Sequence, residues 1–267
     1  MPELPEVETV RRQLEPTLVG RTLVDAWAFP SSKFTPALLT VGSEIESVGR
    51  RGKFLLIGLD DDRELIVHLG MTGVLRPRTG AVAEPTDLYV RAAWFFEGGG
   101  GFELRDVRRF GRVQVVERGA YAGTLAAIGP EPFDEAFSPE SLWAALRRSR
   151  RAVKTQLLSQ RPVAGVGNIY ADEALWAAGI HPGATSISRP RAAALHESVR
   201  QVLAAGIDHG GTTLRDYVTP TGDRGDHQHH LHCYGRGGLP CERCGNPLSR
   251  IVLDARSTTF CRSCQRR

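Results

Sequence analysis

Lysine is nearly absent from this 267-residue chain. It occurs only at Lys33, Lys53 and Lys154, so almost all of the 34 basic residues are arginines. Arginine presents a planar fork of donors suited to phosphate, but a GC-rich genome produces the same bias, and both readings stand. Either way, Lys53 and Lys154 merit inspection. Also missing is any run of the roughly 18 apolar residues that a membrane helix needs. The acidic opening MPELPEVE is unlike a secretory leader, so a cytoplasmic chain with no membrane partner is the expectation. No internal repeat is present. The glycine run at 98–101 lacks the strand-to-helix setting of a phosphate loop and is expected to be a hairpin turn. The net charge of +4 and pI near 8.9 permit a polyanionic partner without requiring one.

What is present divides along the chain. Leu4, Val7, Val10, Leu14 and Leu18 recur at steps of three and four, with Pro2 and Pro5 at the start of the series and Gly20 behind it. That pattern predicts a helix beginning almost at the terminus, a place that is usually frayed. From 21 to about 117 the sequence reads as short strands, such as RTLVDAWAF, KFLLIGL, ELIVHLG, LYVRAAWFF and RVQVVE. Strands without intervening helices point to an antiparallel sandwich or barrel. Beyond 120 the spacing turns helical in YAGTLAAIG, SPESLWAALRRSR, AVKTQLLSQ, NIYADEALWAAG and RPRAAALHESVRQVLAAGI, with Ser138 and Pro139 as a cap and first-turn pair. Residues 210–232 are expected to form a long functional loop.

The tail carries two CxxC pairs, Cys241/Cys244 and Cys261/Cys264, sixteen residues apart. Each pair can grip a tetrahedral ion from one turn, and four thiolates close the site, which makes the ion a structural Zn2+. Two disulfides are the competing reading and fit poorly with a chain lacking a leader. The metal would hold a β-hairpin, SRIVLDA then TTFC, too small to bury its own core. Cys233 is left over as an ordinary thiol, and the nearby HQHHLHC is read as a solvated or phosphate-facing loop in preference to a second metal site.

The ordered set MPELPEVE, RRGKFLL, HLGMTG, DVRRFGRV, GPEP, PVAGVGNIYADEALW, GGTTLRDYV, YGRGGLPC and CRSCQ spans essentially the whole chain. It resembles the formamidopyrimidine-DNA glycosylase family, the bacterial enzymes that remove oxidised purines and cut the strand. The resemblance implies an α+β multidomain fold: an N-terminal helix plus antiparallel β-sandwich over 1–118, a helix–two-turns–helix DNA-binding domain over 119–225, and a zinc finger over 231–267. It implies a monomer, acting in the nucleoid-associated cytoplasm on double-stranded DNA that contains oxidised bases or abasic sites and lies in a basic cleft between domains. One structural Zn2+ and no organic cofactor are implied.

The resemblance also assigns residues. Methionine is removed and the exposed amine of Pro2 attacks the sugar carbon bearing the damaged base. Generic α-amines titrate near 8 and lysine near 10.4, so at pH 7 roughly a tenth of an α-amine is nucleophilic against roughly 0.04% of a lysine. Glu3 is the acid/base that opens the sugar ring. Glu6, one turn on, is a supporting carboxylate, while Glu8 is expected to be a solvated first-turn charge. Lys53 contacts a phosphate and assists elimination. Arg256 in the zinc hairpin grips the phosphate beside the lesion and assists the second elimination. Met71, Arg108 and Phe110 fill the gap left by the flipped nucleotide. Arg150, Lys154 and Asn168 are candidate phosphate contacts. Three departures stand out: the segment TPTGDRGDHQHH where the family's loop often carries an aromatic before its Gln, DLYV without a histidine common before that strand, and Val107 where proline is common. Two rivals remain: the sister endonuclease VIII group acting on oxidised pyrimidines, and a non-catalytic zinc-ribbon damage-binding protein.

Overall fold

The computed structural model describes residues 1–80 and 84–267. They form two compact units. The first comprises Met1–Ala126 together with His209–Gln228, and the second Ala127–Asp208 together with His229–Arg267. The loop segment 209–228 therefore belongs with the N-terminal unit, whereas its place in the sequence put most of it with the helical domain.

The first unit opens with α1 (Leu4–Leu18), whose first turn carries Pro5 and whose end is followed by Gly20 at positive φ. Eight strands follow: β1 (Leu23–Ala28), β2 (Ile45–Arg51), β3 (Phe54–Leu59), β4 (Arg63–His68), β5 (Gly73–Arg78), β6 (Val90–Phe96), β7 (Gly101–Asp106) and β8 (Arg112–Glu117). They build two antiparallel four-stranded sheets, ordered β1-β6-β7-β5 and β2-β3-β4-β8. One core joins both sheets to α1. Val7, Val10, Leu14 and Leu18 of the helix share it with Leu55, Ile57 and Leu59 of β3, Leu65 and Val67 of β4, and Trp94 and Phe102 of the other sheet. In β6, Ala92, Trp94 and Phe96 face this core, and Ala93 and Phe95 face the opposite side, where Trp27 covers them. β2, β5 and β7 were not singled out as strands in the sequence. GFELRD of β7 follows the glycine run that marks its turn, and GVLRPR of β5 holds Pro77, which is tolerated because β5 is an edge strand.

A short helix, α2 (Gly123–Ala127), ends this stretch. The second unit contains α3 (Pro139–Leu146), α4 (Val153–Leu158), α5 (Asn168–Ala177) and α6 (Arg189–Asp208), then the hairpin β9 (Ser249–Leu253) and β10 (Arg256–Phe260). Ser138 caps α3 as expected, accepting from the Ser141 amide at 3.1 Å with Pro139 in the first turn. α6 packs on both α3 and α5, and α5 packs on β10. Among the described residues no helix is long and apolar enough to cross a membrane.

Candidate functional site

In the first unit the site is organised around the start of α1. Pro2 is buried, and Glu3 and Glu6 are 3% and 1% exposed. The i, i+3 spacing brings the two glutamates to one end of the helix: Glu6 Oε2 accepts from the Glu3 backbone N–H at 2.7 Å, satisfying a donor that the helix leaves unpaired. Glu6 Oε1 accepts from the Thr212 amide, also at 2.7 Å. This approach depends on Gly211, at φ +86°, where a Cβ would stand 2.9 Å from Glu6 Cγ. Tyr217 adds its hydroxyl, donating to the Gly210 carbonyl at 3.2 Å. Glu6 thus ties the first turn to the 209–228 loop.

Glu8 corrects an expectation. It is buried, and its carboxylate accepts from Arg12 Nε at 2.8 Å, Arg11 at 3.0 Å and Arg50 Nε at 3.0 Å. Burial would raise its pKa, but these three guanidiniums outweigh it and hold the carboxyl below the usual range. The Arg50 bridge fastens α1 to β2, and β2 ends in the turn that carries Lys53. Lys53 is 5% exposed, between Arg51 and Phe54, which pair across β2 and β3. His68, opposite Phe54 on β4, lies close by. Burial, then the charges of Lys53 and Arg112, push His68 down to about 4, so it is neutral at pH 7. Its Nδ1 accepts from the Gly70 amide at 3.2 Å, which leaves the ring proton on Nε2. The sequence did not single out His68 as a site residue; its signal was HLGMTG.

Met71 and Phe110 are large apolar side chains left 37% and 48% exposed. Arg108 lies over the Phe110 ring, 4.7 Å from its centroid. The β4–β5 and β7–β8 connections that carry them meet backbone to backbone: a Cβ at Gly70 would stand 2.5 Å from the Phe110 carbonyl carbon. Asp106 staples the two together. Fully buried, it accepts from Thr72 Oγ1 at 2.5 Å and from the Arg108 and Gly111 amides at 3.3 and 2.7 Å. Sequence reasoning missed Asp106, which is the first letter of DVRRFG. Beside it opens a cavity of about 350 Å³ lined by Thr72, Val74, Arg105, Arg108, Val218 and Thr219.

In the second unit the ligand atoms of Cys241, Cys244, Cys261 and Cys264 all lie within 4.8 Å of one another. Zn–S bonds of about 2.3 Å in a tetrahedron require sulfurs roughly 3.8 Å apart, so the four thiols fit a closed zinc site. Among the described residues no other cluster of three or more His, Cys, Asp or Glu side chains is gathered closely enough to hold an ion. Cys233 stands apart: burial, then the carboxylates of Glu173 and Asp172, push its thiol far above the usual range, and it donates to the Thr259 carbonyl at 3.0 Å.

The residues expected at phosphates divide. Arg256 is exposed at the start of β10, and Arg150 is exposed between α3 and α4. Asn168 begins α5 as expected, and its Nδ2 donates to the Ser257 carbonyl at 3.1 Å. Lys154 departs from the expectation. Its side chain is 1% exposed and its ammonium faces Asp172 at 2.7 Å, so in this structure it cannot reach a phosphate. The sequence around Lys154 carried no sign of this, because the partner lies 18 residues away. Of the sequence departures, Leu88 in DLYV is 86% exposed and Val107 is 44% exposed. His227, immediately before Gln228, is buried with its Nδ1 3.0 Å from His209 Nδ1.

A protein with a sandwich unit, a helical unit and a four-thiolate hairpin has the parts of a DNA-repair enzyme with a zinc finger. Three family models match in chain order: the formamidopyrimidine-DNA glycosylase N-terminal domain over 1–113, the formamidopyrimidine-DNA glycosylase H2TH domain over 128–218, and the zinc finger found in FPG and IleRS over 238–267. The formamidopyrimidine-DNA glycosylase of Deinococcus radiodurans is 44% identical over 282 residues, covering 99% of this chain and 97% of that one. That of Thermus thermophilus is 45% identical over 271 residues, covering 99% and 98%. The crystal structure of the MutM (FPG) protein from Thermus thermophilus superposes with a TM-score of 0.90 at 44% identity, over 99% of this chain and 98% of that one. A Lactococcus lactis FPG variant bound to Fapy-dG-containing DNA superposes at 0.89 with 35% identity over the full length of both. The chain belongs to the formamidopyrimidine-DNA glycosylase family.

Proposed function

We propose that this chain is a bifunctional DNA glycosylase and abasic-site lyase of base excision repair, acting on oxidised purines such as 8-oxoguanine and formamidopyrimidines in double-stranded DNA. The observation that carries the reading is the buried N-terminal turn, in which Pro2, Glu3 and Glu6 are packed at the head of a capped helix and wired to the 209–228 loop. A free chain terminus would fray; this one is held as a catalytic group must be.

With Met1 removed, Pro2 presents a secondary amine. Its nitrogen attacks the sugar carbon bearing the damaged base, and the base departs with the amine proton, leaving the nitrogen bonded to that carbon. Glu3 then donates a proton to the sugar ring oxygen; the bond between that oxygen and the carbon breaks, and the nitrogen lone pair closes the cationic iminium of the opened sugar. The iminium then serves as the electron sink for successive loss of the two flanking phosphates, leaving a one-nucleotide gap. Lys53 and Arg256 neutralise those phosphates. Met71, Arg108 and Phe110 fill the space of the extruded nucleotide, two by wedging and Arg108 by bonding the orphaned partner base. The zinc ion is structural: its four thiolates leave no open position, and it holds the hairpin that presents Arg256. The enzyme works as a monomer in the cytoplasm, at the nucleoid.

The test is a strand-cleavage assay on a duplex with one 8-oxoguanine opposite cytosine. The expected product is a gap with phosphate on both ends. An intact abasic strand would contradict the lyase activity, and preference for an oxidised pyrimidine would favour the endonuclease VIII reading.

A further inference from the structure

We propose that Lys154 and Asp172 are a positioning pair for Arg256, gripping the zinc hairpin along β10 so that the guanidinium is presented at a fixed place. The proposal rests on the reading of Arg256 as the phosphate-gripping arginine. The Lys154 ammonium donates to the Ser257 carbonyl at 3.0 Å and to Thr258 Oγ1 at 2.8 Å, and forms an ion pair with Asp172 Oδ1 at 2.7 Å. Asp172 Oδ2 accepts from the Thr259 amide at 2.9 Å. Three consecutive hairpin residues after Arg256 are therefore held by one buried ion pair, with Lys154 on α4 and Asp172 on α5.

Neighbouring contacts run in the same direction. Asn168 Nδ2 takes the same Ser257 carbonyl, Thr258 Oγ1 turns back to the Arg256 carbonyl at 3.2 Å, and Thr155 bonds Asp254 across the hairpin tip. The zinc ion cannot do this work alone. Its ligands on the hairpin side, Cys261 and Cys264, lie beyond the end of β10, while Arg256 stands at the opposite end of that strand. A two-stranded hairpin is marginal by itself, so its far end needs a second anchor. A buried ion pair makes a poor source of stability compared with apolar packing, but it is directional, and a register device is its best-attested use.

The experiment uses the full-length, zinc-loaded protein on a duplex with a single abasic site, following the first and second phosphate eliminations separately. Lys154→Met is expected to keep one zinc per chain and a first elimination within about threefold of the parent, while slowing the second at least tenfold. The double variant with Arg256→Ala is expected to be no slower than Arg256→Ala alone, because both remove the same contact. Multiplying effects would overturn the proposal, since Lys154 would then act independently of Arg256. An unchanged second elimination in Arg256→Ala would instead overturn the role of Arg256 and leave the pair nothing to position, while an intact first elimination would leave the lyase reading standing. Thr258→Val guards against misfolding of Lys154→Met. It removes only the hydroxyl that accepts from Lys154 and donates to the Arg256 carbonyl and leaves the ion pair in place; a smaller loss confined to the second elimination and absent in the Arg256→Ala background is expected, and equal slowing of both eliminations would contradict the proposal.

Discussion

The two ends of the chain hold the side chains proposed to act on DNA in opposite ways. At the N-terminus, Pro2, Glu3 and Glu6 ride on a helix whose apolar face belongs to a large core shared by two sheets. At the C-terminus, Arg256 rides on a two-stranded hairpin with almost no core, where the apolar cluster is little more than Trp176, Leu248 and the thiols themselves. The first is positioned by burial and carries a few polar wires. The second is positioned by a metal and a buried polar clasp and carries little burial. The lesson is that a short appendage can place a side chain as firmly as a domain core can, provided that directional bonds replace area.

The sharpest way to break this comparison is to remove a zinc ligand. Structural zinc contributes on the order of 10 kcal/mol or more to small fingers, so Cys261→Ser should lose the metal and release the hairpin. Amide exchange is expected to accelerate through Ser249–Phe260 while β3 and β4 stay protected. Accelerated exchange in both regions would mean that the sandwich depends on the finger.

Acidification probes the burial side. The unfolded chain takes up a proton on His68 near pH 6.5, but the folded one refuses it until about pH 4. Stability contributed by this group is complete above 6.5 and declines as pH falls towards 4, by about 3 kcal/mol in all. His68→Asn, which can still accept from the Gly70 amide, should show a shallower loss of thermal midpoint between pH 7 and 4. Parallel curves for the two proteins would show that His68 is not held neutral.

A smaller effect is expected at Asp106→Ala, which strands the Thr72 hydroxyl and the Arg108 and Gly111 amides. The cost is about 2 kcal/mol in stability, with a larger fractional loss in nucleotide flipping, readable with a fluorescent base opposite the lesion. Normal flipping would show that Met71 and Phe110 need no staple. Smallest is Ala255→Gly. Asp254 and Ala255 occupy the hairpin turn at φ +47° and +61°, a conformation that costs a residue with a Cβ roughly 1 kcal/mol. Glycine at 255 should slow local exchange at the tip, and faster exchange would locate the hairpin's stability elsewhere.

Much of this was legible in the sequence, and the limits have a common cause. Pattern gave α1 and strands β1, β3, β4, β6 and β8, whose apolar residues face the core. The CxxC spacing gave the zinc site because tetrahedral geometry constrains ligands that are local pairs. Pro2, Glu3, Met71, Arg108 and Phe110 are proposed as site residues because they stand in contiguous motifs that resemble the family's. What escaped was support from a distance. Glu8 reads as a first-turn charge until Arg50 arrives from β2, 42 residues on. Lys154 reads as a phosphate ligand until Asp172 and the hairpin close over it. Asp106 draws no notice until Thr72 reaches it from the other connection. In each case the deciding partner comes from a different element, and charge alone does not say whether a side chain faces solvent or a buried counterpart.

The central claim is that the terminus itself is the nucleophile, and it is tested most directly by reductive trapping. Correctly processed protein, incubated with an 8-oxoguanine duplex and borohydride, should form a stable protein–DNA adduct that peptide mapping places on Pro2. A chain retaining Met1 should trap far less. An adduct mapped to Lys53, or none at all from processed protein on any oxidised base, would contradict the account.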